Sequence, residues 1–149
     1  MPLNEQIAAD LKDAMRQRDA RRRDVLRFTL AALHNAEIAA RGALDEAAVA
    51  EVLAREAKRR RESIEEFGKA GRQDLVEKEE AELAVLSPYL PTQLSRDEIT
   101  EAARQVIQET GASGPNDLGK VMSPLMQQFR GRADGRAVNE VVRELLAGS

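Results

Sequence analysis

The sequence predicts an all-α, multihelical protein with two helical subdomains, and three observations favour this fold class. Aromatic residues make up only 3% of the 149 residues, with no Trp, so a core must be built from smaller aliphatic side chains, which suit helix-on-helix packing. No alternating β-branched run reaches the length of about five residues that a strand needs. Pro88 and Pro91 interrupt the helical pattern, because each proline biases its preceding residue away from helical geometry. We therefore expect an N-terminal subdomain at residues 1–90 and a C-terminal subdomain at residues 94–149.

Two helices are predicted at the start of the N-terminal part. Asn4 is a candidate N-cap for the first, which is expected to end near Arg18. Its apolar residues recur every four positions and should share a face: Ile7, Leu11 and Met15. Asp19 is expected to cap the second helix, which continues to the break at Arg41-Gly42. The apolar stripe of this second helix consists of Val25, Leu26, Leu30, Leu33 and Ile38.

Two more helices complete the predicted N-terminal part. Asp45 precedes the third, which should stop at the glycines of residues 68–71 and has its apolar residues at Val49, Leu53, Ile64 and Phe67. The fourth is expected to run from Asp74 to just before Pro88, with apolar residues at Leu75, Leu83 and Leu86. It also carries an acidic group that we interpret as a solvated face pairing with basic neighbours: Glu77, Glu79, Glu80 and Glu82.

The C-terminal part is predicted to be a bundle of three short helices. Ser95 and Glu98 have the spacing of a capping box, in which each side chain satisfies a free backbone amide at a helix start. This helix should continue to about Thr110. The next helix contains Pro124, which is expected to kink it or shift its start, and its apolar residues are Leu118, Val121, Met122, Leu125 and Met126. Asp134 is the expected cap of the last helix, whose apolar residues are Val138, Val141, Val142, Leu145 and Leu146.

Residues 114–120 have the glycine and lysine spacing of a phosphate-binding loop, with Gly114 and Gly119 five positions apart and Lys120 directly after. The pattern is incomplete, because Val121 replaces the Ser or Thr whose hydroxyl binds magnesium and no strand precedes the loop. We therefore interpret the glycines structurally, with Gly119 allowing two helices to approach closely.

No other motif predicts catalysis, a metal site or a cofactor. His34 is the only histidine and the chain has no cysteine, so neither a zinc site nor a nucleophile–histidine pair is expected. We interpret His34 as a partly buried helix residue. We do not expect the polar start of the sequence to act as a signal peptide, and no apolar run approaches the length of about 18 residues needed to cross a bilayer. These features predict a cytoplasmic protein that does not contact membranes.

Clustered basic residues are the main functional signal. One cluster lies near the start of the second helix, at Arg16, Arg18, Arg21, Arg22, Arg23 and Arg27, and another lies in the third helix, at Arg55 and Lys58 to Arg61. In the C-terminal part Lys120, Arg130, Arg132 and Arg136 surround two turns. Guanidinium groups at such positions suit phosphates. The alternatives are that the first clusters pair with carboxylates of their own subdomain, and that the turns are ordinary capped helix starts.

Two stretches carry a resemblance to a known family. One is Gly119-Lys120-Val121-Met122 with Gly131-Arg132-Ala133-Asp134-Gly135 and Val138-Asn139, and the other is Arg60 to Phe67 with Ala70-Gly71-Arg72 and Tyr89-Leu90-Pro91. Together they resemble the GatB/YqeY family, most closely its stand-alone YqeY type, over nearly the whole chain. Ser123 departs from the pattern, which has glycine there. The resemblance implies a C-terminal domain similar to the tail of the GatB subunit of the glutamine-dependent aminoacyl-tRNA amidotransferase, a helical module that engages tRNA.

The same resemblance implies a family label of carbon–nitrogen ligase activity with glutamine as amido-N-donor. We assign that label to the complete amidotransferase, because this chain shows no glutaminase nucleophile and no site for activating a carboxylate. The expected function is a tRNA-binding accessory module that contacts phosphates through Lys120, Arg130, Arg132 and Arg136, extended by Arg59 and Arg60. An adaptor that binds an amidotransferase or an aminoacyl-tRNA synthetase without touching RNA is the alternative, and participation in amide transfer ranks third.

Overall fold

A computed structural model describes residues 1–148, and every regular element among them is helical. Seven α-helices and two short 3-10 turns account for these elements. The prediction of an all-α, multihelical fold is confirmed. The chain divides into two compact units, Met1–Pro91 and Thr92–Ser149. Whether residues 1–90 and 94–149 fold as independent domains stays a prediction.

The first unit contains four helices, α1 (Leu3–Arg16), α2 (Ala20–Ala40), α3 (Glu46–Lys69) and α4 (Gln73–Leu86), followed by a 3-10 turn at Ser87–Tyr89. The most extensive contacts pair α3 with α4 and α1 with α2, while α2 also touches both α3 and α4. The core between them is aliphatic, and its buried members are Ile7, Leu26, Leu33, Val49, Val52, Leu53, Ala57 and Leu86.

Side-chain caps determine where two of these helices begin. Asp19 accepts a hydrogen bond from the backbone N–H of Arg22, and Asp45 accepts one from that of Ala48, so each satisfies an amide that has no partner within its helix. Both predicted starts are confirmed. The predicted cap at Asn4 is wrong, because the carbonyl of Pro2 accepts from Gln6 at 3.0 Å and the first turn therefore forms upstream of Asn4.

Two residues assigned to apolar faces are not in the core. Met15 is 51% exposed and Ile38 is 62% exposed, and each lies in the last turn of its helix. Periodicity identifies the face of a helix, but it does not say how far along the helix a neighbouring element covers that face.

The second unit is a three-helix bundle of α5 (Arg96–Thr110), α6 (Leu118–Gln128) and α7 (Gly135–Ala147). Each helix packs against the other two, and the largest buried core residues include Ile99, Val121, Leu125, Phe129, Val138, Val142 and Leu146. The capping box of Ser95 and Glu98 is confirmed, with both of its hydrogen bonds at 3.1 Å. Pro124 lies inside α6 and does not shift its start, because the helix already begins at Leu118.

Candidate nucleic-acid interface

A tight turn between α6 and α7 holds three of the predicted site residues, and we call residues 129–136 the arginine turn. Gly131 has φ 73°, a left-handed conformation that glycine adopts without the strain a Cβ would introduce. The backbone N–H of Arg132 donates to the carbonyl of Phe129 at 2.7 Å. These two features reverse the chain directly after α6, so that Arg130 and Arg132 lie on either side of the glycine.

The segment just before α5 fastens the turn from the other side. The backbone N–H of Leu94 donates to the carbonyl of Arg132 at 2.9 Å. The side-chain amide of Gln93 donates to the carbonyl of Gly131 at 3.1 Å, and Nε of Arg132 donates to the carbonyl of Thr92 at 3.2 Å. Two hydrogen bonds from residues distant in sequence therefore fix the backbone of the arginine turn, and a third positions the Arg132 side chain, which limits the conformational entropy lost on binding a ligand.

The three arginines differ in their surroundings. Arg130 is half-buried, whereas Arg132 and Arg136 are exposed. The backbone N–H of Arg136 donates to Oδ1 of its cap Asp134 at 3.3 Å. Within residues 1–148, neither the Arg132 nor the Arg136 guanidinium lies within ion-pair distance of a carboxylate. Both guanidinium groups can therefore offer charged N–H donors to an external anion.

One side of the arginine turn is acidic. A shallow cleft of about 290 Å³ runs from Arg132 along α5 and is lined there by Glu98 and Glu101. The pKa of Glu98 lies below its ordinary value, mainly because the carboxylate accepts the backbone N–H of Ser95, with a smaller contribution from the positive charge of Arg132. These carboxylates make this side of the arginine turn unfavourable for a polyanion.

Lys120 belongs to a different part of the bundle. It lies near the start of α6, eight residues before the end of that helix, which corresponds to about 12 Å along the axis. Its ammonium group is 3.3 Å from Asp117. The pKa of Asp117 lies below its ordinary value because its carboxylate accepts the backbone N–H of Ser113 and also faces Lys120. The structure thus separates Lys120 from the arginine turn and gives it an acidic neighbour.

The glycines of residues 114–120 do not form an anion-binding loop. Gly114 is extended, with φ −160°, and the Asp117 carboxylate accepts the Ser113 amide at 2.9 Å, so a negative charge already occupies this loop. The expectation that Gly119 permits close helix approach is also wrong, since an added Cβ would meet no atom within 4 Å.

Arg59 and Arg60 lie in the first unit and have opposite environments. The Arg59 side chain is 68% exposed, 3.6 Å from Glu56. Arg60 is only 14% exposed and forms ion pairs with Glu79 and Glu82, which are 20% and 18% exposed. The acidic face of α4 therefore does pair with a basic neighbour, but at these two positions it is not solvated. Because its guanidinium is directed into the α3–α4 contact, we leave Arg60 out of the candidate interface.

His34 is the remaining side chain that the sequence singled out. His34 is exposed, so its interpretation as a partly buried residue is wrong. No group of three or more His, Asp or Glu side chains among residues 1–148 is placed to hold a metal ion. No helix in the same range is long and apolar enough to cross a membrane.

The structure thus defines a small all-α protein whose second unit is a three-helix bundle with an arginine-rich turn. A family model described as Yqey-like protein matches residues 4–146. The chain therefore belongs to the YqeY family, and the resemblance inferred from its motifs is confirmed.

Several relatives carry the name "Altered inheritance of mitochondria protein 41, mitochondrial". The one from Pyrenophora tritici-repentis is 34% identical over 146 residues, which are 94% of this chain and 78% of that protein. The one from Lachancea thermotolerans is 41% identical over 85 residues, 56% of this chain and 46% of that protein. The one from Kluyveromyces lactis is 37% identical over 114 residues, 74% of this chain and 61% of that protein. The matches thus span less than two thirds of the latter two relatives.

These names contradict the expectation of a cytoplasmic protein, because each of the three relatives is named as mitochondrial. The expectation rests on the absence of a signal peptide and of an apolar membrane span. Neither feature distinguishes the cytosol from the interior of a mitochondrion, so the inference is wrong.

Proposed function

We propose that this chain is a tRNA-binding accessory module whose arginine turn contacts the phosphate backbone of a structured RNA. The observation that carries the proposal is the pair of exposed guanidinium groups of Arg132 and Arg136, which have no carboxylate at ion-pair distance within residues 1–148. They project from a backbone that two hydrogen bonds from Leu94 and Gln93 fix in place. The motif resemblance to the GatB tail domain, which includes this turn, supports tRNA as the ligand.

A phosphate ligand accounts for the arginines that the turn exposes to solvent. A guanidinium group presents N–H donors that match the geometry of phosphate oxygens. Double-stranded RNA has a deep, narrow major groove that side chains do not read, so its recognition depends largely on shape and backbone. We therefore expect binding that depends strongly on salt and weakly on sequence.

The test is to measure binding of the full chain to unfractionated tRNA over a series of salt concentrations. Substituting Arg132→Ala together with Arg136→Ala should weaken binding. It should also make the dependence of log K on log salt shallower by about one for each phosphate that is no longer neutralised. Lys120→Ala should have a smaller effect, because Asp117 already lies 3.3 Å from its ammonium group.

Arg104→Ala is the matched control, since it removes an exposed arginine of the same unit that lies on α5 outside the arginine turn. It should leave both affinity and salt dependence unchanged. If the double variant and the control behaved alike, the phosphates would have to be bound elsewhere. If the unmodified chain did not bind tRNA at low salt, the proposal would fail.

In that case a protein adaptor for an amidotransferase or an aminoacyl-tRNA synthetase becomes the better proposal. It is favoured by the first unit, where Arg60 is committed to internal ion pairs with Glu79 and Glu82 and so contributes little to a phosphate-binding surface. Release of ammonia from glutamine by the purified chain would instead indicate a catalytic role in amide transfer.

A further inference from the structure

The reversal between α1 and α2 lies in a strongly basic segment of the first unit. Residues 12–27 hold seven basic and three acidic residues, a net charge of +4 in a chain whose net charge is −3. Only residues 17–19 connect the two helices. Three arginines lie within five positions of one another at this reversal, and we call them the α1–α2 corner: Arg16, Arg18 and Arg21.

Local hydrogen bonds hold the backbone of the corner. The backbone N–H of Asp19 donates to the carbonyl of Ala14 at 3.0 Å, and that of Arg18 donates to the carbonyl of Met15 at 3.3 Å. Arg18 has φ 57°, the left-handed conformation that ends many helices and is most often adopted by glycine. The three arginines therefore extend from one short, ordered stretch of backbone.

The carboxylates of this segment are already engaged. Asp13 pairs with Arg22 at 2.9 Å, and Asp24 pairs with Arg23 at 2.9 Å. The Asp19 side chain accepts the backbone N–H of Arg22 as the cap of α2. The sequence leaves open whether this basic cluster pairs with carboxylates of its own unit, and Arg22 and Arg23 do so.

The arginines of the α1–α2 corner do not. All three are exposed, and within residues 1–148 none lies at ion-pair distance from a carboxylate. Glu79 and Glu82 of α4, which line a cleft together with Asp24, are themselves paired with Arg60. The corner thus presents three guanidinium groups whose charge no neighbouring side chain neutralises.

Exposed guanidinium groups on an ordered backbone suit phosphate oxygens, which they bind through paired N–H donors. A helix that lies on a membrane surface must expose its apolar face, whereas Ile7 and Ala14 of α1 are fully buried. A nucleic-acid backbone requires positive charge without an apolar face. We propose that the α1–α2 corner is a second phosphate-binding surface for RNA, on a different unit from the arginine turn. It rests on the proposed function, which supplies RNA as the ligand.

Binding of the full chain to unfractionated tRNA over a series of salt concentrations tests the proposal. Replacing the whole corner by Arg16→Gln, Arg18→Gly and Arg21→Gln should weaken binding. It should also make the dependence of log K on log salt shallower by about three, one for each lost phosphate contact. Arg18→Gly alone should make it shallower by about one. Glycine adopts a left-handed conformation without strain, so this variant should melt at no lower temperature than the unmodified chain.

Arg41→Gly is the matched control. Arg41 is exposed, has φ 57° and ends α2 with the same two hydrogen bonds: Gly42 donates to the Glu37 carbonyl and Arg41 to that of Ile38. Its surroundings differ in charge, since residues 37–46 hold three acidic residues and one basic residue. The control should match Arg18→Gly in its effect on melting, and it should leave tRNA affinity and salt dependence unchanged.

The outcomes separate this proposal from the one for the arginine turn. If Arg132→Ala with Arg136→Ala weakens binding and the corner variants do not, the corner proposal fails and the arginine turn stands. If only the corner variants weaken binding, the corner is the phosphate-binding surface and the arginine turn is not. Equal losses for Arg18→Gly and Arg41→Gly would overturn the corner proposal, because any exposed positive charge would then suffice.

A chain that binds no tRNA at low salt would overturn both proposals. Vesicles of anionic phospholipid then identify the other source of phosphates. Binding to such vesicles that the three corner substitutions abolish would make the corner a membrane-binding surface instead of an RNA-binding one.

Discussion

Arg60 shows that the orientation of a basic side chain decides whether it forms internal ion pairs or faces solvent. It belongs to the basic run of residues 58–61, whose members look alike in sequence. Successive residues of a helix point about 100° apart, so only part of such a run can face a neighbouring helix. Arg60 faces α4 and pairs with Glu79 and Glu82, while Arg59 is directed to solvent. The run predicts positive charge, but only the position of α4 decides which guanidinium is internal.

Tyr89 is a second residue whose contacts are not evident from sequence. Its hydroxyl donates to Asp10 at 2.5 Å, across 79 positions of the chain, and ties the 3-10 turn after α4 to α1. Arg22 lies near the same hydroxyl and also donates to Asp13 at 2.9 Å. Burial, reinforced by Asp10, raises the pKa of Tyr89 to about 12. The network joins the end of the first unit to its beginning.

We predict that Tyr89→Phe lowers the free energy of unfolding by about 1–2 kcal/mol, because it removes a partly buried hydrogen bond to a carboxylate. Urea denaturation followed by circular dichroism measures this. Ser87→Ala, which removes a hydroxyl from the same 3-10 turn that is bonded only to the Leu83 carbonyl, is the control and should cost less. Equal costs would mean that the Tyr89–Asp10 contact contributes nothing specific.

The burial of the Tyr89 hydroxyl, reinforced by its hydrogen bond to Asp10, predicts a dependence of stability on alkaline pH. The pKa of Tyr89 is raised from 10.0 in the unfolded chain to about 12 in the fold. The folded state therefore favours the neutral hydroxyl, and its contribution to stability is complete below pH 10.0 and disappears as the pH rises to about 12. The stability difference between the unmodified chain and Tyr89→Phe should shrink across this range. A difference that stays constant would assign the effect to packing.

At the scale of single helices, the sequence predicts where a helix begins better than it predicts which other helices pack against it. Four predicted N-cap residues each accept a hydrogen bond from a backbone N–H at the start of their helix: Asp19, Asp45, Ser95 and Asp134. Capping is local, since its donor and acceptor lie within about three residues of each other. Which parts of a helix are covered by other helices is not determined by residues nearby in sequence. The exposure of Ile38 and the internal role of Arg60 both depend on where other helices lie, so no pattern within their own helix predicts them.

The candidate site likewise has local features that the sequence predicts and long-range features that only the fold shows. Gly131 and Asp134 mark the arginine turn in sequence, because a glycine and a capping residue indicate a reversal followed by a helix. The hydrogen bonds that Thr92, Gln93 and Leu94 make to the turn span about 40 positions, 38 for Gln93 and 40 for Thr92. Nothing in the composition of that segment predicts them. The sequence therefore predicts the position of the turn, whereas its rigidity is known only from the fold.

Two glycines of the second unit allow a matched test of helix energetics. Gly119 lies inside α6 with open space around it, so Gly119→Ala should raise the free energy of unfolding by about 0.5–1 kcal/mol, because alanine loses less backbone entropy in a helix. Gly111 ends α5 with φ 71°, and Gly111→Ala should be destabilising by about 1 kcal/mol. Thermal unfolding of both variants measures the contrast. If Gly119→Ala were destabilising, the glycine would have to serve a contact that the structure does not contain.

For the molecule as a whole, the important feature is that the two units have separate cores. Every buried member of one core lies between Ile7 and Leu86, and every buried member of the other lies between Ile99 and Leu146. A unit with its own core can fold alone. The second unit has roughly 60 residues, a size at which a domain buries a smaller fraction of its surface and is only marginally stable, so small decreases in stability should have large effects on it.

We predict that a fragment of residues 92–149 folds cooperatively and binds tRNA with the same dependence on Arg132 and Arg136 as the full chain. A fragment of residues 95–149 is the matched control, because it keeps the Ser95 cap but lacks the donors and acceptor that fasten the arginine turn: Leu94, Gln93 and Thr92. Removing these hydrogen bonds should cost about 1–3 kcal/mol. The shorter fragment should therefore melt at a lower temperature and bind more weakly even where it is still folded. If the two fragments bound tRNA equally, the fixed geometry of the arginine turn would be irrelevant to recognition, and positive charge alone would suffice.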